Sequence, residues 1–136
     1  MARGAVYFHP QFRFHDNQVG EKRFVILNDP VDEEPYLVAK TTTNLRNRIF
    51  VPGCNRREAV FFVPEQSESA LPLATLIQLF EFFEFTKADL LEASLKERIL
   101  EYKGDLSPLR FSQLVNCVKK LKHDIPQAYF EMITRP

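Results

Sequence analysis

The stretch Phe24-Val25-Ile26-Leu27-Asn28-Asp29-Pro30, followed by Tyr36-Leu37-Val38-Ala39, decides the predicted fold. Each apolar run has the length of a strand and is rich in residues that favour strands. The Asn-Asp-Pro segment is a strong turn signal, and the acidic residues 31–34 are expected to form a solvated turn rather than a cation site. We therefore expect two neighbouring strands that can pair in one sheet.

Further short strands are expected on both sides of this pair. The predicted strands are 5–9, 59–63, 74–79 and 98–102, and the alternating segment 80–85 is expected to be extended. Pro10 closes the first run and Gly104 stops the last. Residues 10–21, 45–57 and 65–72 are expected to be loops or irregular connections.

Helices are predicted towards the end of the chain. Thr86 followed by Asp89 resembles a weak capping box, and Ser107-Pro108 is typical of a helix start. The residues expected on buried helix faces are Ala88, Leu90, Leu91 and Leu95 in the first helix, and Leu114, Val115, Val118 and Leu121 in the second. A last short helix is expected after Asp124, packed on its own domain.

These elements predict a mainly β fold with C-terminal helices, an α+β class, in one domain over residues 1–136. Many short strands separated by turns favour a small β-barrel or strongly bent sheet. The barrel-like core is expected at about 3–103 and the helical part at about 104–133. With 13 phenylalanines and no tryptophan, the core is expected to be built largely from Phe.

Composition excludes several classes of protein. The chain has 136 residues, 45% of them hydrophobic, and a formal net charge of zero, which excludes disorder and a generally basic nucleic-acid coat. No apolar run approaches the length of a membrane span. The start of the chain lacks the apolar segment of a signal peptide, so a cytoplasmic location is expected.

Cysteine and histidine chemistry receives little support. Cys54 and Cys117 are expected to be reduced thiols, Cys117 in the core and Cys54 in a loop. None of the three histidines has a metal-ligand spacing, so no metal and no cofactor is expected. A Cys/His pair that meets only in space stays an open alternative.

Basic residues concentrate in one part of this neutral chain. Residues 40–57 hold five basic and no acidic residues. A solvated loop with salt bridges would explain them, and so would a phosphate-binding surface, because arginine matches phosphate oxygens with paired donors. The candidate phosphate-binding residues are Lys22, Lys40, Arg46, Arg48, Arg56, Arg57 and His15.

Three threonines, Thr41, Thr42 and Thr43, follow the third predicted strand. They fit strand propensity and a turn, but a hydroxyl beside an arginine also suits phosphodiester cleavage. Arginine N–H and threonine O–H donors can stabilise the charge on the nonbridging oxygens without a metal. RNA supplies its own nucleophile, the 2′-hydroxyl.

The order of these segments resembles the PemK/MazF family of toxin ribonucleases over roughly residues 3–121. The matching pieces are the opening strand at 3–8, the arginine-led strand at 20–27, the strand at 37–43 that ends in hydroxyl residues, the strand at 74–79, and Gly104-Asp105-Leu106-Ser107 before a helix. The chain departs from the family in having Ala5 for an acidic residue and Phe24 where proline usually follows the arginine.

The resemblance implies an SH3-like barrel and metal-independent cleavage of single-stranded RNA. By position, Arg23 corresponds to the catalytic arginine and Thr42 to the catalytic hydroxyl residue, with Thr43 where Ser usually stands. A slip of one residue would move the hydroxyl role to Thr41 or Thr43. His15 would lie in the loop that covers the RNA site, as a proton shuttle. The family also implies a homodimer and an antitoxin partner.

A non-enzymatic function is the alternative. A barrel-like module that binds nucleic acid or a protein would use the same basic loop to hold phosphates, with Arg23 and Thr42 serving structure or affinity. Convergence of the Arg23 guanidinium and one threonine hydroxyl on a solvent-open spot would favour catalysis.

Overall fold

A computed structural model describes residues 2–93 and 99–136, and it has the α+β class expected: antiparallel strands with a few helices. The strands are β1 (Ala5–Arg13), β2 (Val19–Ile26), β3 (Tyr36–Thr42), β4 (Gly53–Asn55), β5 (Val60–Val63), β6 (Thr75–Gln78), β7 (Phe83–Phe85) and β8 (Glu101–Asp105). The helices are α1 (Lys87–Leu91), α2 (Pro108–Lys120) and α3 (Gln127–Thr134), with a 3₁₀ turn at Lys122–Asp124. The predictions for Leu95 and Arg98 concern residues outside these ranges.

One sheet carries all the strands, in the order β4-β5-β6-β3-β2-β1-β8, with β7 added beside β3. Because β2 occupies one edge of β3, β6 and β7 share the other edge. β7 pairs with the first half of β3, where Tyr36 faces Phe85, and β6 pairs with the last two residues, where Thr42 faces Leu76. The second and third strands, which the sequence allowed to pair, lie side by side with Val25 opposite Ala39.

Buried apolar side chains alternate between the two faces of the strands and form two cores. Val6, Val25 and Ala39 belong to a core that also contains the buried face of α2. Their chain neighbours Tyr7, Phe24 and Val38 belong to a second core with Leu90 of α1. Since successive side chains of a strand point to opposite faces, the helices cover both sides of the sheet.

Two helix starts form as the sequence predicted. The Thr86 hydroxyl accepts a hydrogen bond from the backbone N–H of Asp89 at 3.0 Å. The Ser107 hydroxyl accepts from the backbone N–H of Arg110 at 3.3 Å, with Pro108 as the first residue of α2. Each hydroxyl satisfies a donor that has no partner inside its helix.

Several predicted boundaries were wrong, including the start of β2 at Val19, inside the segment 10–21 that was expected to be a loop. β1 runs through Pro10 to Arg13, with a shift of register between His9 and Phe12, where proline's missing N–H is tolerated. β8 continues through Gly104, whose φ of 121° coincides with a second shift of register. The short strand β4 lies inside the segment 45–57 that was expected to be a loop.

The expectation of reduced thiols was also wrong, because Cys54 and Cys117 form a disulfide with their Cα atoms 5.3 Å apart. β4 places Cys54 against α2, and the prediction lacked β4. The core position of Cys117 is confirmed, since its side chain is buried.

The C-terminal helix packs on its own domain, as expected. Ile133 is buried in the core beneath α2, and Tyr129, Phe130 and Met132 pack against it. An ion pair between Arg135 and Glu34 ties the end of the chain to the connection between β2 and β3. Among the described residues, no helix is long and apolar enough to cross a membrane.

Candidate functional site

An open cavity of about 370 Å³ lies where β2 and the end of β3 meet the segment 71–73 and β8. We call it the Arg23 cavity. It brings together residues that are far apart in the chain, among them Lys22, Arg23, Thr42, Thr43, Glu101 and Lys103. The arginine and the threonines singled out in the sequence therefore line one space that solvent can enter.

Arg23 is held in place by the segment between β5 and β6. Its Nη1 donates a hydrogen bond of 2.7 Å to the carbonyl oxygen of Ala70. Nearby, the Glu68 carboxylate accepts from the Ser107 backbone N–H at 2.7 Å and from its hydroxyl at 3.0 Å, which ties the segment to α2. A guanidinium has five N–H donors, so this bond fixes the group and leaves others for a ligand.

The three threonines differ in what their hydroxyls do. The Thr41 side chain is buried, and its hydroxyl donates to the carbonyl oxygen of Arg23 at 3.0 Å. The Thr42 hydroxyl accepts from the backbone N–H of Asn44 at 3.1 Å, which leaves its own proton available to a ligand. Thr43 is exposed on the rim. Thr42 thus combines a place in the cavity with an available donor.

Charge in the cavity is mixed. Lys22 Nζ donates to the Thr41 carbonyl oxygen at 3.2 Å. Burial lowers the pKa of Lys22, and the nearby charge of Lys40 lowers it further. Glu21 and Glu101 also line the cavity, and Lys103 Nζ pairs with Glu101 Oε1 at 2.7 Å. The cavity therefore offers both cations for a phosphate and carboxylates that can accept a proton.

Two of the predicted phosphate-binding residues lie elsewhere, in a group that we call the Lys40 cluster. Lys40 Nζ pairs with Glu81 at 2.8 Å and lies 4.9 Å from the centre of the Phe14 ring. The His15 ring stacks on Phe83 with centroids 4.2 Å apart, and its Nε2 lies 3.1 Å from the Phe82 carbonyl oxygen. Neither Lys40 nor His15 lines the Arg23 cavity.

The remaining arginines among the predicted phosphate-binding residues lie on two different surfaces. Arg46 and Arg48 line a neighbouring cavity of about 240 Å³, where Arg48 pairs with Glu58 at 3.0 Å. Arg56 and Arg57 are exposed in the turn between β4 and β5, and they line neither cavity. The basic stretch of the sequence is thus spread over several surfaces.

Sequence reasoning missed the contribution of β8. Glu101 lies opposite Phe8, and Phe8 lies opposite Arg23, so the register across three strands brings β8 to the cavity. A strand was expected at this point, and its alternating charges at 101 and 103 are a visible signal. Nothing local in the sequence, however, indicates that this strand pairs with β1.

Within residues 2–93 and 99–136, no group of three or more His, Cys, Asp or Glu side chains is placed to hold a metal ion. Comparison of the chain with protein-family models and with curated proteins found no match.

Proposed function

We propose that this protein is a metal-independent endoribonuclease that cleaves single-stranded RNA at the Arg23 cavity. One observation carries the proposal: Arg23 and Thr42, which come from different strands, line the same open cavity. The Arg23 guanidinium and the Thr42 hydroxyl are donors of the kind that stabilise developing charge on a phosphate.

In the proposed reaction, the 2′-oxygen of the RNA attacks the adjacent phosphorus, and the bond between phosphorus and the 5′-oxygen breaks. The products are a 2′,3′-cyclic phosphate and a 5′-hydroxyl. One proton leaves the 2′-hydroxyl, and one proton is delivered to the departing 5′-oxygen. Arg23 and Thr42 donate hydrogen bonds to the nonbridging oxygens, on which negative charge accumulates. Thr43, on the rim, binds the neighbouring backbone.

Residues of the cavity can carry both protons. A carboxylate, Glu21 or Glu101, accepts the proton of the 2′-hydroxyl. Lys22 protonates the leaving oxygen, and its lowered pKa makes its ammonium group a better acid than an exposed lysine. In this assignment His15 has no part, because it lies in the Lys40 cluster.

The resemblance to the PemK/MazF toxins extends the proposal. We propose that the bent sheet is an SH3-like barrel of that type, that the active form is a cytoplasmic homodimer, and that an antitoxin protein restrains it. Sedimentation of the purified protein at several concentrations tests the homodimer.

The test of the activity is RNA cleavage in EDTA by wild type, Arg23→Ala and Thr42→Val. We expect wild type to produce cyclic-phosphate ends, and each substitution to slow cleavage by about 10²- to 10³-fold, the usual loss when one charge-stabilising donor is removed. Thr42→Ser is the matched control, because it keeps the hydroxyl and should retain most of the rate.

A further substrate makes the result specific. RNA with a 2′-deoxy sugar at the cleaved position must resist cleavage, since its nucleophile is missing. Cleavage that persists in both Arg23→Ala and Thr42→Val would reject these residue assignments. Failure of wild type to cleave any of several unstructured RNAs would reject the enzymatic function.

A binding module is the second candidate, and the mixed charge of the cavity favours it. Glu21 and Glu101 oppose the entry of a phosphate, and Arg23 already holds the Ala70 carbonyl oxygen. A module would bind RNA with an affinity that falls steeply as salt rises, without cleaving it. Binding and cleavage measured on the same RNA separate the two functions.

A further inference from the structure

A third cavity lies beside the disulfide, where β4 meets α2, and we call it the disulfide cavity. Its volume is about 380 Å³, and Cys54 and Cys117 both line it. Its other walls include four polar residues of α2, namely Arg110, Gln113, Asn116 and Lys120. Among the described residues, none lines both this cavity and the Arg23 cavity. The disulfide cavity is therefore a second place at which chemistry could occur.

The two cysteines differ in how far solvent reaches them. Cys117 is only 1% exposed, within the core beneath α2, whereas Cys54 is half-buried in β4. A disulfide is opened by a thiolate that approaches one of its sulfurs, and the rate depends on access to that sulfur. A thiol that enters the cavity therefore reaches Cys54 more readily than Cys117.

The charge of the cavity favours an acidic thiol. Arg110 and Lys120 are basic, and none of the described residues that line the cavity is acidic. Glu68 lies 3.7 Å from Arg110 Nε but is not part of the lining, so it offsets one of the two charges only partly. Nearby cations attract an anionic thiolate, and they also stabilise the thiolate that is released when a disulfide opens.

The strand that carries Cys54 has few other attachments. β4 has three residues, lies at one end of the strand order and pairs with β5. The disulfide is the covalent link between this edge strand and α2. Once the link is open, β4 can move away from α2 and make room for a group bound to Cys54.

We propose that Cys54 is a site of S-thiolation, at which a small acidic thiol of the glutathione class opens the disulfide. The thiolate sulfur bonds to Cys54 Sγ, and the bond between the two cysteine sulfurs breaks. Cys117 leaves with the electron pair as a thiolate, which then takes a proton from water. The incoming thiol is oxidised to a mixed disulfide, and Cys117 is reduced. This modification is independent of RNA cleavage.

Three thiols with the same two-carbon skeleton test the charge preference: cysteamine, 2-mercaptoethanol and 2-mercaptoethanesulfonate. As thiolates, they become more negative in that order. Mass spectrometry of acid-quenched samples gives the rate at which each opens the disulfide of the folded protein. Division by the rate on bis(2-hydroxyethyl) disulfide, an uncharged reference, removes differences in nucleophilicity. We expect the corrected rate to rise about threefold per step at low salt, and the rise to shrink at high salt.

Four variants identify the residues. Lys120→Glu should reverse the order of the three thiols, whereas Lys119→Glu, with the same change of charge outside the cavity lining, should keep it. Folded Cys117→Ser, treated with oxidised glutathione, should acquire one glutathionyl group at Cys54. Cys54→Ser should acquire one only after unfolding in urea, because Cys117 is buried. Thermal unfolding confirms that each variant is folded, and the thiol series on wild type needs no variant.

Three results would overturn the proposal. Equal corrected rates for the three thiols, in wild type and in Lys120→Glu, would reject the preference for acidic thiols. Faster modification of Cys117 than of Cys54 in the folded variants would reject Cys54 as the site. A disulfide that opens only in urea would reject S-thiolation of the folded protein. None of these measurements involves RNA, so their failure is distinct from a failure of the proposed function.

Discussion

The Arg23 cavity and the Lys40 cluster contain similar residue types, yet they use them differently. Lys40 has its ammonium paired with Glu81 and packed beside aromatic rings, and its side chain is only 17% exposed. The Arg23 guanidinium donates one N–H to a backbone carbonyl oxygen, and the residue lines an open cavity. Basic residues on two paired strands therefore divide into one whose charge is paired and one that has hydrogen-bond donors available to a ligand.

Strand geometry is the reason for this division. Lys40 lies opposite Phe24 across β2 and β3, on the side of the sheet that carries the phenylalanine-rich core. Arg23, the chain neighbour of Phe24, points to the other side. Thr42 lies beyond the last pair of β2 and β3 in register, and it lines the Arg23 cavity from the end of β3. Because alternate residues of a strand face opposite sides of the sheet, several basic residues in one stretch of sequence need not lie on the same surface.

Loss of the Arg23 guanidinium should affect RNA cleavage more than any other change to the two groups. Arg23→Ala should slow RNA cleavage by up to about 10³-fold, because the transition state loses a charged donor. Lys40→Met should change the rate by less than about threefold, because Lys40 is absent from the cavity and its charge is only the smaller of the two causes that lower the pKa of Lys22. Initial rates under single-turnover conditions measure both. A loss in Lys40→Met as large as that in Arg23→Ala would show that the Lys40 cluster belongs to the site.

The sequence predicted the strands and helix starts well, because apolar runs and caps are local signals. Thr86 and Ser107 are capped as expected, and the second and third strands pair. It could not predict which residues of different strands meet. The distribution of Lys40 and Arg23 over two faces depends on register, and the place of Glu101 depends on the pairing of β8 with β1.

The disulfide was missed for the same physical reason. Cys54 and Cys117 are 63 residues apart, and only the packing of β4 on α2 brings them together. The expectation of reduced thiols was based on the cellular compartment, which carries no information about the distance between the two cysteines. The Arg23 and Thr42 pair was predicted by position in a resemblance to a family pattern. Both residues line one cavity, and their catalytic role stays a prediction.

Removal of the disulfide should separate stability from chemistry. The double variant Cys54→Ser/Cys117→Ser should lower the free energy of unfolding by about 3 kcal/mol, because its unfolded chain loses a long closed loop. The Arg23 cavity lies on other elements, so the folded variant should cleave RNA within about threefold of wild type. Urea titration and cleavage rates measure the two effects. A folded variant without activity would mean that the cavity depends on the position of β4.

The hydroxyls of two neighbouring threonines should also differ, one contributing to stability and the other to cleavage. Thr41→Val should lower the free energy of unfolding by about 1–2 kcal/mol, because the Arg23 carbonyl oxygen loses its buried partner. Thr42 is partly exposed, so Thr42→Val should leave the free energy of unfolding nearly unchanged, but it should lower the cleavage rate. Urea midpoints measured beside cleavage rates distinguish these roles. The opposite assignment, with Thr41→Val stable and inactive, would move the catalytic hydroxyl by one residue.

The ion pair of Glu34 with Arg135 is another pair with satisfied charges, and its loss should change the free energy of unfolding only slightly. The hydrogen bond from Arg135 is the main cause that lowers the pKa of Glu34 from 4.5 to about 2. A carboxylate whose pKa is lower in the folded state stabilises the fold above its unfolded pKa. That stabilisation is lost as the pH falls from about 4.5 to about 2.

Urea unfolding of Glu34→Gln and wild type between pH 2 and 7 measures this contribution. We expect wild type to be the more stable above pH 5, and the difference to shrink towards pH 2 as Glu34 is protonated. Glu33→Gln, at an exposed neighbouring position, is the control and should show no such convergence. A constant difference across the pH range would mean that Glu34 stabilises the chain through packing. Because this pair lies away from the Arg23 cavity, neither variant should change RNA cleavage at neutral pH.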